Sequence, residues 1–252
     1  MSMQLSPQAE ELLGQSDLVS ITERVDDGAL LIGQMIPMGL PEVLDRPIPR
    51  HWKQRGLRWG GTAVMWLAHL LTEGDHRKVA VEVSIQGMQH TLSRLTAQVI
   101  QPLDVSDDRL SPLLTPLSQP TSWPQIERDV TDRSLAVHAL PQAVIRGEAT
   151  TVSGAHAVTA EGLLQVGHRQ DDPTRPQIKV MLGSLDPLGM PLATDVLSGA
   201  RADEGFYLAR LARLRPGLPT AGLRWGGDGK MRAWETRAAI AGHPDVYLSP
   251  LP

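Results

Sequence analysis

The chain has 252 residues, of which 41% are hydrophobic and 4% aromatic, and its formal net charge is −4. Bulk charge therefore does not predict a polyanion-binding protein, so any contact with nucleic acid must come from a local basic segment. The lack of cysteine excludes disulfides, thiolate metal sites and a cysteine nucleophile. No apolar run approaches the ~20 residues of a membrane-spanning helix, which predicts a cytoplasmic protein with no membrane partner.

Residues 1–140 are predicted to form a helical N-terminal domain. Apolar residues recur at helical spacing over residues 28–44, where two short helices are interrupted between Pro37 and Pro41. Residues 62–71 predict a buried helix, and residues 77–101 and 107–140 have helical patterns. Pro141 marks the predicted domain boundary.

A basic segment, residues 46–58, lies inside this helical half and contains no acidic residue. It leads into the helix of residues 62–71, and a basic loop in that position can clamp phosphates. The alternative is a solvated loop whose long cationic side chains lie over Trp52 and Trp59. Composition leaves both interpretations open. The candidate DNA-binding residues here are Arg46, Arg50, Lys53, Arg55 and Arg58.

The pattern changes after Pro141 to strands and helices, which predicts an α/β fold for residues 141–252. Three strands come first, and the second and third are joined by a short turn containing Pro187 and Gly189. A helix, a strand, a second helix and a last strand follow. The predicted strands are residues 143–152, 177–185, 190–196, 223–225 and 246–248, and the predicted helices lie around Tyr207–Leu214 and residues 231–241.

Two acidic residues stand on or beside strands in this half. Glu148 lies within the first strand, and Asp228 follows the fourth strand inside a glycine-rich turn. Carboxylates brought together at strand ends can hold Mg²⁺ or Mn²⁺, because these ions prefer oxygen ligands. Acidic residues near strand ends are also common in α/β domains that have no metal, so spacing alone does not decide between the two.

Several motifs in residues 144–252 resemble those of the DDE transposases of bacterial insertion sequences, whose catalytic domain has the RNase H-like fold. Residues 24–140 resemble the helical domain that precedes it in one such group, mainly through residues 106–110. The matching stretches of the second half are residues 148–154, 165–168, 177–182, 185–193, 227–231 and 235–238.

The resemblance implies a role for each matching residue. Glu148 occupies the position of the first catalytic and metal-binding acid, and Asp228 that of the second. Mg²⁺ or Mn²⁺ is the implied cofactor, and metal-dependent DNA strand cleavage and transfer is the implied reaction. DNA carrying the terminal inverted repeats of an element is the implied partner, together with a second copy or an intact transposase. Lys230 is a candidate phosphate contact beside Asp228.

The chain departs from the family pattern at two of the three acids. Glu148 stands where the family has Asp, and its extra methylene displaces the carboxylate by about one carbon–carbon bond, more than catalytic placements tolerate. The third acid, expected on a later helix, has no counterpart. We therefore expect a truncated, inactive transposase with an incomplete RNase H-like domain, and enzymatic activity stays undecided. The alternative is a non-catalytic DNA-binding or oligomerising module that competes with intact transposase.

Overall fold

The computed structural model describes residues 20–48, 55–167, 174–201 and 204–250, without the side chains of residues 204–206 and 230. Arg50, Lys53 and His168 therefore lie outside the described residues. Contacts divide the chain between Leu117 and Ser118 into two compact units. The described residues include no helix that is both long and apolar enough to span a membrane.

The first unit is helical. Its interior is filled by aliphatic side chains with almost no exposed surface, among them Met65, Ile85, Leu92 and Leu110. The described helices are α1 (Gly28–Met35), α2 (Leu40–Asp45), α3 (Trp59–Glu73), α4 (Lys78–Gly87), α5 (Gln89–Thr96) and α6 (Asp107–Leu117), with a 3₁₀ turn at Pro102–Val105.

Helices α2 and α3 pack closely at a glycine. A Cβ atom on Gly60 would lie 1.9 Å from the carbonyl oxygen of Pro41, so only glycine fits at this crossing. The backbone N–H of Gly60 also donates a 2.8 Å hydrogen bond to Oδ1 of Asp45. A carboxylate at a helix N-terminus satisfies an unpaired donor and is favoured by the helix dipole.

Among its described residues, the second unit contains a six-stranded mixed sheet and three helices. In chain order, the elements are α7 (Ser122–His138), β1 (Val144–Ser153), β2 (Gln165–Val166), β3 (Pro176–Leu185), β4 (Met190–Ser198), α8 (Glu204–Leu214), β5 (Arg224–Gly227), α9 (Trp234–Ala241) and β6 (Val246–Leu248). Short 3₁₀ turns occupy Arg215–Gly217 and Gly229–Arg232.

The described strands form one mixed sheet. Apart from the two-residue β2, which pairs with β3, the order across the sheet is β4-β3-β1-β5-β6. Strands β1, β3 and β4 are antiparallel neighbours, whereas β5 runs parallel to β1, and β6 runs parallel to β5. The α/β fold class, with a helical region before a mixed sheet, is therefore confirmed.

Helices α8 and α9 pack on one face of this sheet. That face carries Ile145, Met181 and Trp225, which join a buried cluster with Leu214 of α8 and Ile240 of α9. Alternate residues of a strand point to opposite faces. On the second face, Val152 is 50% exposed and Val196 is 48% exposed.

Helix α7 belongs with the sheet rather than with the first unit. Its Thr131 hydroxyl donates to the carbonyl of Leu192, and its Glu127 accepts a hydrogen bond from the backbone N–H of Thr194. Both partners lie on β4. The boundary between the two compact units therefore lies before α7. The change of sequence period had predicted this boundary after α7, at Pro141. Periodicity identified a helix there but carried no information about which half it packs against.

Candidate functional site

Asp228 lies directly at the carboxyl end of β5. In the parallel pairing of β1 with β5, the last matched residues are Gly147 and Gly227. The next residue on each strand is Glu148 and Asp228, respectively. The strand order thus brings the two acids that the sequence predicted to neighbouring backbone positions, although 79 residues separate them along the chain.

The carboxylate of Asp228 is held by a buried tyrosine. The hydroxyl of Tyr207 on α8 donates a 2.7 Å hydrogen bond to Oδ1 of Asp228, and Tyr207 is only 3% exposed. Gly147 makes room for the ring, because a Cβ atom there would approach Cε1 of Tyr207 to 3.3 Å. The helical pattern indicated that Tyr207 is a core residue, and nothing in the sequence pointed to its contact with Asp228.

Glu148 points away from this tyrosine. Gly147 faces Tyr207, so strand alternation places the side chain of Glu148 on the opposite face of the sheet, where it is exposed. Glu148 and Asp228 are therefore neighbours along the backbone, and Asp228 contacts the tyrosine through Oδ1.

This orientation bears on the divalent ion that the resemblance implied. Carboxylate oxygens are the donors that Mg²⁺ and Mn²⁺ prefer. In the described arrangement Oδ1 of Asp228 accepts the Tyr207 hydroxyl, and the side chain of Glu148 is exposed. Among the described residues, no three or more His, Asp or Glu side chains are grouped closely enough to hold a metal.

A short 3₁₀ turn follows Asp228 and is fixed by a buried methionine. The backbone N–H of Met231 donates to the carbonyl of Asp228, and the Met231 side chain is 2% exposed. A Cβ atom on Gly227 would lie 2.6 Å from Sδ of Met231, so glycine allows this side chain to fold back under the strand end. The backbone of Lys230 lies in the same turn.

The three described arginines of the basic segment are exposed. Arg46 follows the last residue of α2, Arg58 precedes the first residue of α3, and Arg55 lies in the loop between them. The structure therefore leaves these three predicted DNA-binding side chains accessible.

Two residues outside the basic segment fix its C-terminal end. Asp104 is buried and accepts a 3.1 Å hydrogen bond from the backbone N–H of Leu57. Arg109 donates to the carbonyls of Arg55 (3.1 Å) and Leu57 (2.8 Å), and its guanidinium lies 5.2 Å from the ring centroid of Trp59. The sequence linked Arg109 only to a motif and did not predict either anchoring role.

A partly buried charge network connects α7, β4 and α8. Arg213 pairs with both Glu127 and Asp195, and Arg210 forms a 2.6 Å ion pair with Asp195. Arg210 also donates a 2.6 Å hydrogen bond to the carbonyl of Met181. Burial raises the pKa of Glu127 and lowers the pKa of Arg210. All four side chains are used in packing these elements together.

No known protein family and no curated protein matches the chain. Among solved structures, a piggyBac transposase synaptic complex with hairpin DNA is similar over 97% of this chain and 46% of that one, with 8% identity and a TM-score of 0.38. A Mos1 transposase paired-end complex with the left transposon end is similar over 96% and 71%, with 10% identity and a TM-score of 0.31. The Mos1 strand transfer complex is similar over 92% and 79%, with 11% identity and a TM-score of 0.30.

The present chain thus spans less than half the length of the piggyBac chain. At these TM-scores the similarities are too weak to support a conclusion about the site. The description of the site therefore rests on the strand order, the strand directions and the position of Asp228.

Proposed function

We propose that this chain has a function in DNA transposition and that DNA is its partner. The observation that carries the proposal is the position of Asp228. Asp228 directly follows β5, and Glu148 is the residue beside it on the neighbouring parallel strand β1. These are the two strands on which the transposase resemblance requires its first two acids.

DNA contact is assigned in this proposal to the basic segment and to the turn after Asp228. Arg46, Arg55 and Arg58 are exposed, and arginine side chains position a protein on nucleic acid through phosphate contacts. Arg50, Lys53 and Lys230 complete the proposed set from the sequence. Asp45 already accepts the N–H of Gly60 at the start of α3, so phosphate is expected to bind the arginine side chains rather than this helix end.

We further propose that the chain in this arrangement binds DNA without cleaving it. Glu148 stands where the resemblance has Asp, so its carboxylate is displaced by about one carbon–carbon bond, and Asp228 is engaged by Tyr207.

The experiment is a binding and nicking assay with a labelled DNA duplex, with and without Mg²⁺. Wild-type protein should bind without Mg²⁺, and affinity should fall as salt rises because phosphate contacts release counterions. Changing Arg55 and Arg58 together to Gln should weaken binding and reduce the salt dependence by about two counterions. Changing Arg128 and Arg224 to Gln, two exposed arginines outside the basic segment, is the matched control.

Two results would contradict the proposal. A chain that is folded yet binds no DNA would remove the assignment to transposition. Mg²⁺-dependent nicking that disappears in Asp228→Asn would show that the two carboxylates do converge on an ion, and the non-cleaving arrangement would then be wrong.

A further inference from the structure

Trp234 is the first residue of α9 and is 72% exposed. An indole ring is a large flat apolar surface on which another planar group can stack. The 3₁₀ turn that begins right after Asp228 leads to it within six residues. The turn is held against the core by Met231, so the position of Trp234 relative to the strand end is fixed rather than left to a loose loop.

One arginine stacks on this indole and another lies two residues before it in the sequence. The guanidinium carbon of Arg237, one helical turn further along α9, lies 5.3 Å from the ring centroid of Trp234. The Nε atom of Arg237 is buried and has no hydrogen-bond partner in the described part of the chain. Arg232 is exposed, and its Nε donates a 2.8 Å hydrogen bond to the carbonyl of Gly229, which ties it to the residue after Asp228.

The surroundings of Trp59 and Trp123 differ from those of Trp234. Trp59 also lies beneath an arginine, but Arg109 there is engaged by two backbone carbonyls and anchors a loop. Trp123 is 43% exposed and hydrogen-bonds Glu127 in the charge network. The indole of Trp234 has neither role, and its stacked arginine leaves most of its surface in solvent.

We propose that Trp234, with Arg232 and Arg237, is a stacking platform for an unpaired base of a DNA strand that passes Asp228. Base stacking on an aromatic side chain, with arginine beside it for the phosphate, is how proteins hold single strands without reading their sequence. This inference rests on the proposed function for the identity of the nucleic acid. It adds that the bound DNA has an unpaired nucleotide at the carboxyl end of β5.

The test compares a blunt duplex with the same duplex carrying a three-nucleotide single-stranded overhang, using the full chain and fluorescence anisotropy. Wild-type protein should bind the overhang duplex more tightly than the blunt one, by about 5- to 150-fold for one stacked base. The change Trp234→Ala should remove this ratio while leaving blunt-duplex affinity unchanged, and Trp234→Phe should retain part of it. Trp123→Ala is the matched control and should keep the full ratio.

Arg232→Gln should reduce the salt dependence of overhang binding by about one counterion, because one phosphate contact is lost.

An unchanged overhang ratio in folded Trp234→Ala would overturn the platform, as would equal affinity of the wild-type protein for both duplexes. If an isolated single strand binds through Trp234 while duplex binding is absent, the platform stands and the proposed function fails. If duplexes bind with no contribution from Trp234, only the platform fails.

Discussion

The position and the direction of the Asp228 side chain depend on residues that are distant in the sequence. Its position depends on the parallel pairing of β5 with β1, and its direction depends on Tyr207 from α8. Gly147 is the third contributor, because any larger residue on β1 would press on the tyrosine ring.

Removing the Tyr207 hydroxyl should loosen Asp228 and destabilise the second unit. We expect Tyr207→Phe to lower the free energy of unfolding by about 1–2 kcal/mol, the range for a partly buried hydrogen bond to a charged acceptor. Denaturant titration followed by circular dichroism measures this loss. The control is Tyr247→Phe on β6, where the tyrosine is 42% exposed and the change should stay within ~0.5 kcal/mol. Equal effects of the two substitutions would contradict the special role of Tyr207.

At the scale of elements, helices are joined by a few specific contacts rather than by apolar burial alone. Helices α2 and α3 meet where Gly60 lies against Pro41. Helices α7 and α8 are joined through Arg213, which pairs with Glu127 on one side and with Asp195 of β4 on the other. Each contact can be tested by a single substitution with a neighbouring control.

Gly60→Ala should be strongly destabilising. The new Cβ atom would lie 1.9 Å from a backbone oxygen of Pro41, which cannot move aside as a flexible side chain can. We expect a loss of about 3 kcal/mol or more in the free energy of unfolding. The adjacent Gly61→Ala is the control, since its Cβ would meet Leu57 at 3.4 Å and alanine favours a helix by up to ~1 kcal/mol. Similar thermal midpoints for the two variants would show that α2 and α3 do not pack this closely.

Arg213→Met should destabilise the second unit in a pH-dependent way. Loss of the cation leaves Glu127 and Asp195 less well paired, which we expect to cost about 2–3 kcal/mol at pH 7, below the range for fully buried pairs because Arg213 keeps some exposure. Arg128→Met, an exposed arginine on the same helix as Glu127, should change stability little.

The sign of the pH dependence follows from Glu127. Burial already raises the pKa of Glu127, so the folded protein binds its proton more readily than the unfolded chain does. The contribution of Glu127 to the free energy of unfolding therefore falls as pH rises from its ordinary pKa of 4.5 through the raised value. Without Arg213 the pKa should rise further, so the destabilisation should be smaller at pH 5 than at pH 7. Unfolding titrations at the two pH values measure the difference, and a larger loss at pH 5 would contradict this sign.

At the scale of the whole molecule, the chain divides between Leu117 and Ser118 into two compact units. The second unit contains the sheet together with α7, whose Glu127 and Thr131 bond to β4. The leucine Leu135 of the same helix belongs to the buried cluster of the sheet. A helix that lies before the strands in sequence is therefore part of their fold.

A fragment of residues 118–252 should unfold cooperatively, whereas a fragment of residues 141–252 should be markedly less stable. The shorter fragment exposes the cluster surface covered by Leu135 and leaves the backbone N–H of Thr194 without its carboxylate acceptor. Thermal unfolding by circular dichroism and amide exchange in β4 measure the difference. Equal stability and equal protection of β4 in the two fragments would place the boundary at Pro141 instead.

Local sequence patterns predicted the order and type of the main elements, although the short strand β2 was not among them. Period-two patterns identified the long strands, and apolar spacing identified α8 with its end near Pro216, because these signals depend on neighbours a few residues away. The glycine-rich stretch after Trp225 likewise indicated that Asp228 ends a strand. Local pattern was sufficient for each of these features.

The faces and partners of these elements depend on how they pack in three dimensions. Strand pairing brought Glu148 and Asp228 to adjacent backbone positions, and the hydroxyl of Tyr207 holds the carboxylate of Asp228. The packing of α7 on β4 and the anchoring of the basic segment by Arg109 were also absent from the sequence pattern. The physical reason is common to all of them: each depends on contacts between residues distant in the chain, whose geometry is set by the packed core rather than by local propensity.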